Sequence, residues 1–431
     1  MARTVNLSRK IEKRLPPELV SLIRMSATIA AGRNQALYLV GGVVRDLLLG
    51  KPNFDLDFAV EGDAISLAKE LAAQTSGKLI THRRFNTAKL KLARWRLDFA
   101  TARAETYERP GTLPEVKPGS LENDLFRRDF TVNAMAVRLF PEPYGRLIDL
   151  YGGFADLRNG LIRVLHEKSF IDDATRIWRA MRYEQRLDFQ IEPVTLRLLK
   201  RDVPMLDTIS GDRVRHELEL VLVEDPPEKV LHRAWVLKAL SRVHPALKGD
   251  AWLKDKYGRA RIMAQDPARN AVYWALLTYR LDRQELERVI AFLHLERKLA
   301  VILRDTNRSK TGLKLLSRKS ASRSEIYSLM HGYSYAALLT HLVASDSVRA
   351  RNAIDLYLEK LRFIRPALTG ADLQKMGMPA GRQIQEALVT LRKARLDGKI
   401  TSREEEEKRV RLLLKRAQIQ AGKQASRTRF R

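Results

Sequence analysis

The sequence predicts an α+β protein, with a small mixed sheet near the N-terminal end and an elongated, all-helical remainder. Three features carry this expectation. Residues 37–60 run strand, glycine turn, helix, strand. Short β-patterned segments continue as far as Thr101. From about Gly160 the hydrophobic period becomes helical and stays so. At 431 residues the chain exceeds one ordinary core, so about two to four domains are expected.

The head follows element by element. Leu37-Tyr38-Leu39-Val40 is a short apolar run ended by Gly41-Gly42. Val43 to Leu49 has helical spacing and stops at Gly50, with Pro52 beyond. Phe54 to Val60 alternates, as a half-buried strand does. Leu79-Ile80, Ala88–Leu92 and Leu97–Thr101 read as further strands, and Ala64–Gln74 as a flanking helix. Residues 103–121 carry Pro110, Gly111, Pro114, Pro118 and Gly119, which is loop chemistry.

Helices are expected at Ile171–Leu187, Glu192–Arg201, Arg213–Leu222, Glu228–Ala239 and Arg283–Phe292. Upstream of the head, Pro16-Pro17-Glu18 reads as a helix start, so residues 1–34 form a helical extension. Residues 304–323 are a basic stretch holding Arg304, Arg308, Lys310, Lys314, Arg318, Lys319 and Arg323. The tail from 401 carries ten Lys/Arg against four Glu, and its end from Ala417 is expected to be disordered. No tandem repeat of solenoid length is present.

Charge narrows the partners. The 79 basic and 51 acidic residues leave +28. Such an excess points to a polyanion, with nucleic acid ahead of an anionic membrane surface. The absence of cysteine excludes disulfides, thiolate zinc sites and cysteine nucleophiles together. It also fits a reducing, cytoplasmic setting. No apolar run approaches the ~18 residues that span a bilayer, so no membrane partner is expected. The N-terminus is basic but has no apolar core of a secretory signal.

The chemistry centres on Asp55-Leu56-Asp57. On a strand, residues i and i+2 share a face, so two carboxylates project side by side with Leu56 behind them. Paired carboxylates are hard oxygen ligands suited to Mg²⁺, which takes the rest of its shell from water and phosphate. Alone, such a pair is more often a solvated strand edge. Here Gly41-Gly42 precede it, between strand and helix, where backbone N–H groups form a ready phosphate site. Arg45, one turn in, can add a charge-assisted contact to the same phosphates. Phosphate cradle and acid pair therefore lie within 17 residues. No Walker-type or dinucleotide glycine motif occurs, and no H-E-x-x-H supports a zinc hydrolase.

The string G-G-V-V-R-D-L-L-L-G-K-P-N-F-D-L-D resembles the head motif of nucleotidyltransferases related to polymerase β. In particular it is similar to the branch of bacterial class II tRNA CCA-adding enzymes and poly(A) polymerases. A second motif of that branch follows as Arg127-Arg128-Asp129-Phe130-Thr131-Val132-Asn133-Ala134. The resemblance implies that Arg128 approaches the nucleotide while Asp129 and Asn133 brace the sheet and loop. The third is Asp172-Asp173-Ala174-Thr175-Arg176-Ile177-Trp178-Arg179-Ala180-Met181-Arg182-Tyr183. Asp173, Arg176, Arg179 and Arg182, three apart, would wind slowly around one helix. In isolation that is a salt-bridged helix face.

The resemblance gives Asp173 and Arg176 a sharper role, as a protein template for the incoming base. A carboxylate accepts from an exocyclic amino group, and a guanidinium donates to a ring nitrogen. Cytosine and adenine offer that pattern; uracil and guanine reverse it, at roughly 1–3 kcal/mol per unpaired group. Arg179 and Arg182 would serve the triphosphate or fix the template. The segment departs from the usual family pattern at Asp172, where Glu is common. Arg213 and Glu217, in a later matching segment, are expected to form an i,i+4 ion pair. Leu368–Leu373 with Gly377 and Gly381 is similar to the tail of the same enzymes.

The organisation implied is an N-terminal extension at 1–34, a nucleotidyltransferase head at 35–160 and a helical neck with the base-selecting helix at 161–225. A body at 226–365 and a tail at 366–431 follow. The implied activity is attack of a tRNA 3′-hydroxyl on the α-phosphorus of CTP or ATP, releasing pyrophosphate. Asp55 and Asp57 would carry Mg²⁺, and Gly42, Arg45 and Arg128 would hold phosphates. Asp98, on the strand before the 103–121 loop, is a candidate third acid. That loop is implied in the switch from C to A addition. The rivals are a poly(A) polymerase, a CC-only or A-only enzyme, and an inactive RNA-binding module. His82-Arg83-Arg84-Phe85-Asn86-Thr87-Ala88 lacks the leading Gly and final His of a poly(A) polymerase segment.

Overall fold

The computed structural model describes residues 5–106, 108, 109, 111, 114–266, 268–318 and 321–428, and for 318 and 416–428 the backbone alone. The chain forms two compact units, Met1–Gly249 and Asp250–Arg431.

In the first unit, nine strands serve the site: β1 (Ala36–Val40), β2 (Leu56–Glu61), β3 (Lys78–His82), β4 (Thr87–Leu92), β5 (Trp95–Thr101), β6 (Arg103–Thr106), β7 (Glu115–Pro118), β8 (Met135–Phe140) and β9 (Leu147–Asp149). Seven of them form one sheet in the order β3-β4-β5-β2-β1-β8-β9. The β2–β5 pair is parallel and the other pairs are antiparallel, so the sheet is mixed as expected. Alternation drives it. Leu56, Phe58 and Val60 of β2 are buried, and the Phe58 ring stacks on Phe99 of β5 at 4.6 Å. Burying two such rings contributes on the order of several kcal/mol.

Several expectations change. Asp55 lies one residue before β2 rather than within a strand starting at Phe54; its backbone N–H donates to Asn53 Oδ1 at 3.1 Å. The 103–121 segment is not plain loop but includes the antiparallel β6–β7 ribbon; Pro110 lies outside the described residues. The single helix expected over Ile171–Leu187 is two, Ser169–Asp172 and Thr175–Leu187. At the break Asp173 is extended, with φ −141°, and its carboxylate accepts from the Thr175 N–H and hydroxyl. An aspartate that caps the next turn through its side chain stops the one before it.

The second unit is helical, from Ala251–Met263 to Arg403–Thr428. The end expected to be disordered from Ala417 is helix as far as Thr428. The basic stretch at 304–323 falls largely on the helix Arg297–Arg318; its Lys319 lies outside the described residues. Buried Glu406 ties the last segments together, accepting from the Ala367 and Leu368 N–H groups and from Arg395. Beside it, Leu368, Leu373, Leu391 and Val410 form a core. No helix among the described residues is long and apolar enough to cross a membrane.

Candidate active site

A cleft of about 620 Å³ opens in the first unit over the ends of β1 and β2. Of the residues singled out from sequence, Gly42, Arg45, Asp55, Asp57, Arg128, Asp173, Arg176 and Arg179 all line it. Arg182 does not. It is buried against Glu217 and Glu224, at 3.7 and 3.6 Å. Six residues beyond Arg176 is ~120° around the helix, which turns Arg182 away. A wider hollow of about 870 Å³, beside the helix Pro17–Gly32, lacks the acid pair and the glycine turn.

Gly41 shapes the floor. Its φ of +77° suits glycine, and a Cβ there would stand 3.0 Å from Arg128 Nη1 and 3.7 Å from Asp57 Oδ2. The helix Gly42–Leu49 starts immediately after, with its N-terminus at the cleft. Arg128 reaches the same spot. Its Nη2 donates to Asp124 at 2.8 Å, while its Nε has no hydrogen-bond partner. Burial alone would raise the Asp124 carboxyl, but Arg128 and Arg127 outweigh it and hold the group below the ordinary range.

Asp55 and Asp57 flank buried Leu56. Asp57 is open on its cleft side, yet crowding by the walls pushes its pKa up to about 6. Arg128 opposes this shift, and Asp98 and Asp55 add to it. Asp98 faces Asp57 in register on β5. It pairs with Lys89 at 3.2 Å, and its Oδ1 has no hydrogen-bond partner.

Arg45 has little freedom. It is only 4% exposed, grips both Asp46 oxygens at 2.8 Å and donates to Asn133 at 2.7 Å. Asn133 donates onward to Asp129, and Asp129 receives two bonds from Arg179. Burial acts to raise Asp129; Arg179 and Asn133 keep it lowered and ionised. Arg45, Arg179, Arg182 and Arg186 surround the Tyr183 ring at 5.2–6.0 Å. This chain of contacts locks the sheet to the helix Thr175–Leu187.

Asp173 and Arg176 both line the cleft. The Arg176 backbone N–H donates to the Asp173 carbonyl at 3.1 Å, but their side chains take other partners. Arg176, also 4% exposed, donates to Ser169 Oγ at 2.7 Å and to the Arg127 carbonyl at 2.6 Å. Asp173 instead receives Arg213 at 2.7 Å. The expected Arg213–Glu217 pair is therefore replaced: Arg213 turns to Asp173, and Glu217 faces Arg182. Sequence reasoning missed Asp46, Asp124, Tyr183 and the cleft role of Arg213. For Asp124 a signal existed, since it lies on the short helix Leu121–Phe126, four residues before Arg128.

A glycine turn at a helix start, an acid pair beneath it and an arginine-rich wall define a nucleotidyltransferase-type head. Comparison with known proteins agrees. Residues 37–163 match the family described as "Poly A polymerase head domain", and residues 188–250 match "Probable RNA and SrmB- binding site of polymerase A". An A-adding tRNA nucleotidyltransferase of Halalkalibacterium halodurans is 30% identical, over 93% of this chain and 94% of its own. One of Geobacter sulfurreducens is 35% identical over 92% of this chain but 47% of its own. The Thermotoga maritima CCA-adding enzyme solved with tRNA is 32% identical, with a TM-score of 0.78 over 96% of this chain and 100% of that one. The chain belongs to the tRNA nucleotidyltransferase and poly(A) polymerase family. It spans about half the length of the Geobacter relative.

Proposed function

We propose that the protein extends the 3′ end of tRNA by nucleotidyl transfer from ATP and CTP. The observation that carries this is the convergence of Asp55, Asp57, the Gly41-Gly42 turn and the Asp173–Arg176 selector in one cleft. The start of the helix Gly42–Leu49, which no side chain caps, and the Arg128 guanidinium at the cleft suit the triphosphate. Arg45 and Arg179 fix that wall through Asp46, Asn133 and Asp129. Asp173 and Arg176 read the base edge, one accepting and one donating.

The acids fit Mg²⁺. Both hard carboxylates line the cleft, and burial, then the charges of Asp98 and Asp55, raise Asp57, an effect that a divalent cation would offset. Bound there, Mg²⁺ supplies activation of the attacking hydroxyl and charge neutralisation at the leaving pyrophosphate.

The nucleotide added has two readings. Addition of A alone is favoured by the A-adding relatives at 30–35% identity. Addition of the whole CCA is favoured by the likeness to the Thermotoga enzyme. Labelled ATP and CTP, given separately to tRNA ending before CCA and to tRNA ending in CC, decide between them. A label from CTP on the shorter tRNA together with a label from ATP on the CC-ended tRNA supports CCA addition. Label from ATP alone, on the CC-ended tRNA alone, supports A addition. No incorporation from either nucleotide on either RNA refutes both readings in favour of a binding module.

A further inference from the structure

Behind the wall that carries Arg176 lies a second hollow, of about 450 Å³. Glu105, Arg127 and Arg176 line both it and the main cleft. Its other side is formed by Phe126, His166 and Asp172. Asp172 is the position at which this chain departs from the resemblance, so the departure falls in this hollow rather than in the selector.

The hollow is built for a planar ring. Phe126 ends the short helix Leu121–Phe126 and is 46% exposed. Its ring lies on the His166 imidazole, with centroids 5.0 Å apart and planes 30° from parallel. Tyr151 continues the row at 5.8 Å. Burial and then Arg176 push the His166 pKa down, against Asp172, so the ring is neutral at pH 7. Asp172 Oδ2, 3.8 Å from His166 Nε2, offers an acceptor at the edge of this platform. Aromatic rows of this kind bind nucleobases by stacking.

Charge tells a strand from a free nucleotide. Glu105, Glu167 and Asp172 balance Arg127, Lys168 and Arg176, three against three. A free triphosphate would meet no surplus of cations and no glycine turn like that at Gly41-Gly42. A nucleotide within a strand brings one phosphate only.

We propose that this hollow receives an unpaired nucleobase of the RNA acceptor's 3′ segment, stacked on Phe126 and His166. The proposal rests on the reading of the main cleft as the site where an RNA 3′ end is extended. It holds the acceptor next to the selector, through a wall whose arginines both sites share.

The test is RNA binding by the full chain without nucleotide. The probe is a tRNA acceptor-stem hairpin with an unpaired 3′ segment, intact or abasic at each unpaired position in turn. In the native protein, one abasic position should weaken binding by about 5- to 150-fold, the loss of one base–aromatic stack. Phe126→Ala should weaken the intact hairpin by the same factor and make that abasic change silent; Phe126→Trp should restore both. ATP and CTP binding without RNA should be unchanged in Phe126→Ala. Native affinity in Phe126→Ala, an abasic penalty that persists there, or no hairpin binding at all overturns the proposal. So does loss of free nucleotide binding, which would make the hollow a nucleotide site. Because no chemistry is measured, a native chain that binds in this way but transfers nothing would sink the enzymatic reading alone.

Discussion

Arg213 donates from one guanidinium nitrogen to Asp173 at 2.7 Å and from another to the carbonyl of Gly111 at 3.4 Å. One side chain thus joins Asp173 to the segment between β6 and β7. Gly111 is itself pressed on Thr208, since a Cβ there would meet the Thr208 carbonyl oxygen at 2.4 Å.

Arg213→Ala should therefore relax base choice. Losing a charge-assisted bond to a half-buried carboxylate is worth about 1.5 kcal/mol, or roughly tenfold. We expect discrimination against UTP and GTP to fall by about that factor, with the KM for the preferred nucleotide rising less. Steady-state kinetics with all four nucleotides check this, and Arg213→Lys should recover part of the loss.

Asp129 governs stability as well as geometry. Its carboxylate accepts from the Phe130 N–H, from Asn133 and twice from Arg179. Asp129→Ala leaves the Arg179 guanidinium facing a buried, uncompensated site, a change that costs about 3 kcal/mol. Urea unfolding of the two proteins measures it; a loss below about 1 kcal/mol would remove Asp129 as the tie between the sheet and the helix Thr175–Leu187.

The second unit carries its own pH signature. His341 is fully buried; its Nε2 meets Ser309 Oγ at 2.7 Å and its Nδ1 meets the Tyr279 hydroxyl at 3.0 Å. Burial, helped by Lys310, pushes its pKa down to about 3. The unfolded chain takes up a proton near pH 6.5, whereas the native one resists until about pH 3. Stability is thus fully present above pH 6.5 and falls as pH drops, by about 1.4 kcal/mol per unit from this group. His341→Gln should flatten that part of the profile in thermal unfolding at pH 4–7.

Much of this was legible in the sequence because the head uses local rules. The Gly41-Gly42 turn, the alternation around Leu56, Phe58 and Val60, and the helix stop at Gly50 each follow from neighbours in the chain. The contacts that were missed are long-range. Nothing within a helical turn of Arg213 reveals that it reaches 40 residues back to Asp173. Arg45 illustrates the same limit: its position beside the glycine turn suggests a phosphate contact. Its burial against Asp46 and against Asn133, 88 residues away, shows a brace. The break at Asp173 is local but lies between two signals, a helical period running through it and a side chain able to cap the next turn.

If Asp55 and Asp57 hold the cation under a bound triphosphate, transfer depends on both. Native protein and Asp55→Ala are to be compared in single-turnover transfer from labelled ATP to tRNA ending in CC, beside RNA binding by each. Transfer should vanish in the variant at ordinary Mg²⁺ while RNA affinity stays within about twofold, a change of less than ~0.5 kcal/mol. Turnover near the native rate in Asp55→Ala would contradict a metal-holding role for the pair.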